Sequence, residues 1–219
     1  PQRIEQTSLS MSDAPKPQPQ QSHMSARVPE RVGQGVFSTG VLVMTGNTEF
    51  VLDFVQNLGQ PAQIAARIVM PHQTMPQFIQ ALTTNLDMYR KRFGEPPALP
   101  APTPNPKKPT LQEIYDDLKI SDETLAGSYA NGVMIGHGAS EFGLDFLTSF
   151  FPQSAVSARV FVAAGQVPRL LESLRGAVKQ LEQRKNQAGG GSPESPIEGE
   201  GDPPPPSDPT GEDNQGPLA

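Results

Sequence analysis

The sequence predicts an α+β protein: two β-β-β-α repeats forming an intramolecular pseudo-dimer, antiparallel sheet packed against helices, with disordered N- and C-terminal arms. Three observations carry this. Shifted by 92 positions, Val28–Tyr89 lies over Ile120–Leu181 without a gap and with 13 identities. In both windows the apolar period passes from two to 3.6 in the same order. The prolines and the excess of acids concentrate outside the windows. An internal repeat constrains architecture before any single motif does.

Within each copy the elements follow in order. Phe37, Thr39, Val41 and Val43 alternate, as do Tyr129, Asn131, Val133 and Ile135, predicting a first strand. Gly46 or Gly138 marks a turn. Glu49-Phe50-Val51-Leu52-Asp53-Phe54 and Glu141-Phe142-Gly143-Leu144-Asp145-Phe146 then give a second strand, with the aromatic and leucine side chains on one face and the acids on the other. The poorly matched stretches 55–62 and 147–154 are expected to be loops. A third strand follows, with Ile64, Ala66, Ile68 and Met70 inward, matched by Val156, Ala158, Val160 and Val162. Spacings of three and four then predict helices through Phe78, Leu82, Leu86 and Tyr89, and through Leu170, Leu174, Val178 and Leu181. Pro76 and Pro168 fall in the first helical turn, where a missing N–H costs nothing. Arg90-Lys91-Arg92 and Arg184-Lys185 close the helices, favourable to the dipole.

A single copy of about 62 residues is marginal for independent stability. Leu42, Met44 and Met134 also place apolar groups on the second face of the sheet, which therefore needs a cover. The other copy is the simplest one, and a monomer with internal two-fold symmetry is expected.

The boundaries follow from composition. Residues 1–27 are rich in Gln, Pro and Ser, an N-terminal arm expected to be disordered, within which Met11-Ser12-Asp13 reads as a plausible native start. Repeat 1 spans 28–95. A proline-rich spacer and a short helix fill 96–119, where Thr110-Leu111-Gln112-Glu113 has capping-box spacing and Leu111, Ile114, Tyr115 and Leu118 form an apolar side. Repeat 2 spans 120–185, and 186–219 is an acidic tail rich in Pro and Gly. That tail carries −7, so the net charge of −6 belongs to it and not to the repeats, each of which is neutral. Neither repeat has the basic excess of a nucleic-acid footprint. The chain has no cysteine, which excludes disulfide and thiolate chemistry and fits a cytoplasmic setting. No apolar run reaches membrane-span length.

Tyr129-Ala130-Asn131, the Glu-Phe-x-Leu-Asp-Phe strand, a later arginine and a closing helix together resemble the small bacterial and archaeal domain of unknown function 3467. The first copy carries the pattern through Glu49–Phe54, Arg67-Ile68-Val69-Met70-Pro71 and a helix leading to Phe93-Gly94-Glu95. The second lacks that ending, and the first has Phe37-Ser38-Thr39 where the family prefers Tyr-Ala/Ser-Asn. Members usually hold one copy, which implies pairing as homodimers; this chain would hold both halves. The resemblance implies a fold and no activity.

Glu49, Asp53 and Arg67, repeated as Glu141, Asp145 and Arg159, are the candidate site residues. They form either a polar binding surface or structural ion pairs such as Asp53 with Arg67 across two strands. His23, His72 and His137 occupy no equivalent positions and make no metal set. His137 is expected at a turn or on the surface. Gly136-His137-Gly138 leads into a strand and not a helix, which argues against a phosphate loop. Phe50, Leu52 and Phe54 have inward spacing, so they are expected in the core rather than as a base-stacking platform. No cofactor is implied. The expected function is non-enzymatic protein–protein binding through a composite surface of two divergent repeats. A nucleic-acid-associated regulator using the basic helix ends is the second reading, an enzyme the third. Specificity is expected where the copies differ: Phe37/Tyr129, Met44/Gly136, Thr45/His137 and the helix ends.

Overall fold

In the computed structural model, which describes residues 26–100, 110–150 and 152–189, neither copy closes its sheet alone. The first comprises α1 (Glu30–Gly33), β1 (Val36–Ser38), β2 (Gly40–Thr45), β3 (Glu49–Gln56), β4 (Gln63–Pro71) and α2 (Met75–Phe93). The spacer carries α3 (Leu111–Asp116), and the second copy comprises α4 (Asp122–Leu125), β5 (Ser128–Tyr129), β6 (Gly132–His137), β7 (Glu141–Phe150), β8 (Gln153–Ala163) and α5 (Val167–Gly189). The class is α+β. The strand orders are β1-β8-β7-β6 and β2-β3-β4-β5. The disorder expected of the N-terminal arm up to residue 25 and of the acidic tail from residue 190 lies outside the described residues, as does most of the proline-rich spacer.

The predicted first strand is therefore two strands that join different sheets. Val36, Phe37 and Ser38 pair in parallel with Val160, Phe161 and Val162 of the second copy. Ser128 and Tyr129 return the exchange beside Ile68 and Val69 of the first. Thr39 and Asn131 lie at the breaks, where their amides donate to Val55 O and Leu147 O at 2.8 and 2.9 Å. The inward set changes parity at each break: Val36, Ser38 and Ala130 face the core while Phe37 and Tyr129 are exposed, and beyond it Val41, Val43, Val133 and Ile135 pack inward. One continuous alternation therefore misassigns Phe37 and Tyr129.

Two other expectations need correcting. The loop expected over 147–154 is largely strand, since β7 extends to Phe150 and β8 starts at Gln153, whereas in the first copy only Val55 and Gln56 belong to β3 and 57–62 is irregular as expected. Each β-hairpin shifts register by one, between Phe54 and Val55 and between Phe146 and Leu147, and Leu147 is buried by the shift. The second long helix also runs past Lys185 to Gly189.

The inward faces meet in one core. Phe50, Leu52 and Phe54 are buried together with Phe142, Leu144 and Phe146, as the period-two spacing predicts. Phe54 and Phe146 approach at 5.5 Å between ring centroids, and Phe78 from α2 meets Phe146 edge-on at 5.6 Å. Each long helix reaches the opposite copy's edge strand, α2 against β6 and α5 against β2. Tyr89 donates its hydroxyl to Ala139 O at 2.8 Å, and Arg175 donates to Thr83 Oγ1 at 3.1 Å. Pro76 sits in the first turn of α2 and Gly94 follows its end.

Phe146→Ala removes a ring shared by strands and helix of both copies and should cost about 3–5 kcal/mol. Because the core is common, urea unfolding followed by tyrosine fluorescence and by far-ultraviolet circular dichroism should give one coincident transition at a lower midpoint.

Candidate functional site

Asp53 and Arg67 face each other across β3 and β4, and Asp145 and Arg159 do so across β7 and β8. Both pairs are bidentate. Arg67 Nε and Nη2 donate to the Asp53 oxygens at 2.8 Å each; Arg159 does the same to Asp145 at 2.7 and 2.8 Å. The carboxylate hydrogen bond raises each guanidinium further above its ordinary range. The remaining nitrogen crosses to the other copy. Arg159 Nη1 donates to Gly33 O at 3.2 Å, and Arg67 Nη1 to Leu125 O at 3.3 Å, the carbonyls that end α1 and α4.

Gly35 and Gly127 explain why two glycines repeat just beyond those carbonyls. Both have left-handed φ, +67° and +73°. A Cβ on Gly35 would come within 2.8 Å of Arg159 Cγ and of the Phe161 ring; one on Gly127 would come within 3.1 Å of Arg67 Cγ. The crossing chain thus lies directly on the arginine of the opposite sheet, with no room for a side chain.

The two outer sheet faces differ in what lies over them. On the first copy α3 lies above β2 and β3, and the Tyr115 hydroxyl donates to Asp53 Oδ2 while resting 3.4 Å from Met44 Sδ. Asp53 is fully buried as a result, which departs from the polar-surface reading and not from the ion-pair one. The cover is the spacer helix and not, as expected, the other repeat. Thr110 caps that helix through the predicted capping box with Glu113. Burial first, and then the hydrogen bond to Asp53, pushes the Tyr115 phenol well above its ordinary pKa. On the second copy Asp145 retains 17% exposure, and among the described residues its carboxylate accepts only from Arg159. A groove of about 590 Å³ opens there, with Met134, Gly136, Gly143, Asp145, Arg159 and Phe161 in its lining.

Glu49 and Glu141 do not join these pairs. Glu49 accepts from Thr48 N and Thr48 Oγ1, which lowers its pKa, and both glutamates bend over the hairpin glycines Gly46 and Gly138. His137 is no simple turn residue: it stacks on Phe142 at 5.1 Å and meets Asn85 Oδ1 at 3.3 Å. His72 contacts Glu49 O at 3.0 Å and the Phe50 ring. Arg90 of the basic helix end is engaged by Asp87 and Glu95. Among the described residues no group of three His, Asp or Glu could hold a metal ion, and no helix is long and apolar enough to cross a membrane. Sequence reasoning placed Tyr115 on the apolar side of a short helix and missed its role on Asp53. The signal was its place outside the repeated window, where the two copies have no reason to agree.

The chain matches one family twice, the one described as Protein of unknown function (DUF3467), over residues 11–96 and 102–187. This bears out the resemblance read from the sequence, as two tandem copies. No curated protein and no solved structure matches the chain.

Tyr115→Phe keeps the ring and removes the donor, and should cost about 1–2 kcal/mol at pH 7. The folded phenol's pKa is raised, so its contribution is full below the unfolded value of about 10 and declines as pH rises above it. The difference in urea midpoint between the two proteins should shrink between pH 8 and pH 11, taken as about two units below and one above that value. Asp53→Asn breaks a fully covered pair and should cost about 3–5 kcal/mol, whereas Asp145→Asn, in the open groove, should cost about 1 kcal/mol. Thermal melts of the two variants check that order.

Proposed function

The chain belongs to the family of proteins of unknown function DUF3467, holding two copies of its domain, and from that footing we propose that it is a non-enzymatic protein–protein interaction module whose copies have diverged in role. The observation that carries this is the asymmetry of the outer faces. The same Asp–Arg pair lies under a helix in one copy and at the floor of an open groove in the other. A sheet face that one copy covers with a helix has the shape and polarity to accept a second helix.

Several features support binding over chemistry. Both carboxylates of the repeated trio that lie near a groove are committed to guanidinium groups at 2.7–2.8 Å, a poor state for a proton acceptor. The glutamates serve their own hairpins. The engagement of Arg90 by two acids weakens the nucleic-acid reading. The exchange of β1 and β5 supports an intramolecular pseudo-dimer, since each copy supplies the strand that borders the other's sheet.

Light scattering on the full chain should return a monomer of 23.5 kDa; a dimer would mean that the copies pair between chains. Affinity capture from the native cell should recover a protein that is lost with Gly136→Met, which fills the groove, and kept with Met88→Ala on the exposed side of α2. Recovery of nucleic acid in place of such a protein would sink the reading.

A further inference from the structure

Among the described residues the outer face of the second copy is an open groove, whereas the first copy carries α3 on the same face. Cross-strand rows align the two. On the first sheet Met44, Val51, Val69 and Tyr129 form one row, and Leu42, Asp53 and Arg67 the next. On the second sheet the corresponding rows read Gly136, Gly143, Phe161 and Phe37, then Met134, Asp145 and Arg159. The charged pair is retained. Two larger side chains have become glycine, and the far end of the row has become a pair of phenylalanines, of which Phe37 is exposed. A Cβ at Gly136 would meet nothing within 4 Å, so the space above it is free. The groove therefore has an aromatic wall, a floor open above Gly136, with the Phe161 ring lying 3.4 Å from where a Gly143 Cβ would be, and a carboxylate with acceptor capacity to spare.

We propose that this groove seats a helical segment of another protein, lying as α3 lies on the first copy, with a tyrosine whose hydroxyl donates to Asp145 and whose ring rests over Gly136 beside Phe161. This rests on the protein-binding reading above and names its occupant. None of the three tyrosines in the sequence is placed to supply that donor. The sequence has three tyrosines and no tryptophan, and Tyr89, Tyr115 and Tyr129 all lie among the described residues. Tyr89 is buried on Ala139 O, Tyr115 is on Asp53, and Tyr129 stacks on Phe150 at 5.9 Å.

The chain's own upstream segment is also a poor match for α3. The arrangement is equivalent up to Arg27, which bonds Ser154 O and Val156 N as Lys119 bonds Ala62 O and Ile64 N. Further upstream, the residues at the repeat offset are Pro19, Ser22, His23 and Ala26, where α3 and its end carry Leu111, Ile114, Tyr115 and Leu118. The apolar side that would hold such a helix down is absent. A phosphate-bearing ligand fits no better, because Arg159, the cation in the groove, is already bidentate on Asp145.

The test uses the full chain and, as probe, a fluorescently labelled peptide with the sequence Pro109–Ile120, read by fluorescence anisotropy. Saturable binding is expected, weakened about tenfold when the peptide's tyrosine is replaced by phenylalanine and to a similar degree by Asp145→Asn, the loss of one charge-assisted hydrogen bond. Gly136→Met should abolish it by filling the groove. Since its added side chain enters open space, Gly136→Met keeps the test decisive if Asp145→Asn fails to fold. No saturation by about 1 mM peptide, an affinity scarcely worth 4 kcal/mol, would overturn the proposal, as would binding indifferent to both substitutions. If native-cell capture succeeds while the peptide fails, only the tyrosine-bearing helix is overturned and the binding reading stands.

Discussion

The guanidinium of each repeated arginine is where the two copies are locked together. Two of its N–H groups satisfy an aspartate of its own sheet, and a third reaches the last carbonyl of a helical turn that belongs to the other copy. The fork geometry matters: a lysine could hold the aspartate or the carbonyl but has no fixed plane that serves both. Just past that carbonyl the chain turns through a left-handed glycine, passes over the arginine's stem, and lays three residues beside the edge of the opposite sheet. Glycine, aspartate and arginine are thus one device, and their joint repetition at a fixed offset follows from it.

That device makes each half incomplete. Without β1, the outer edge of β8 would expose its hydrogen-bonding groups, and without β5 the edge of β4 would do the same. Each long helix meanwhile leans on the opposite edge strand, so the aromatic cluster around Phe146 draws on both copies. Burying such rings contributes about 1.5–3 kcal/mol apiece, and a unit of some 60 residues has few of them to spare. Exchange of short strands and sharing of one core answer the same shortage.

Much of this was legible before any coordinates. The inward sets of the second and third strands are buried as the alternation predicts, and the helices bury Phe78, Leu82, Leu86 and Tyr89, and Leu170 and Leu174. The pairing of Asp53 with Arg67 was one of two readings left open, and it holds in both copies. What was not legible has a common cause. At the break at Thr39 and Asn131 the inward set changes parity, and the sequence alternation running through Phe37 and Tyr129 continues as if one strand did not end there, although both side chains are exposed. The burial of Asp53 depends on Tyr115, which lies 62 positions away on a helix outside the repeat. The strand length beyond Phe54 and Phe146 hides behind a register shift that moves the apolar set by one.

Tandem arrangement matters for what the outer faces can become. Two identical subunits related by a two-fold axis must present equal surfaces, so a helix that covers one face would cover the other. Joining the halves in one chain removes that constraint. The spacer between them can carry a helix that serves one sheet alone, and α3 with Tyr115 does so. Once one face is closed, substitutions on the other no longer have to accommodate a shared cover. The exchanges of Met44 for Gly136, Val51 for Gly143 and Val69 for Phe161 all fall on that face, while the residues that lock the copies together are unchanged. The lock of Gly35, Asp53 and Arg67 thus recurs unchanged as Gly127, Asp145 and Arg159, while every member of the outer-face row beside it has been exchanged.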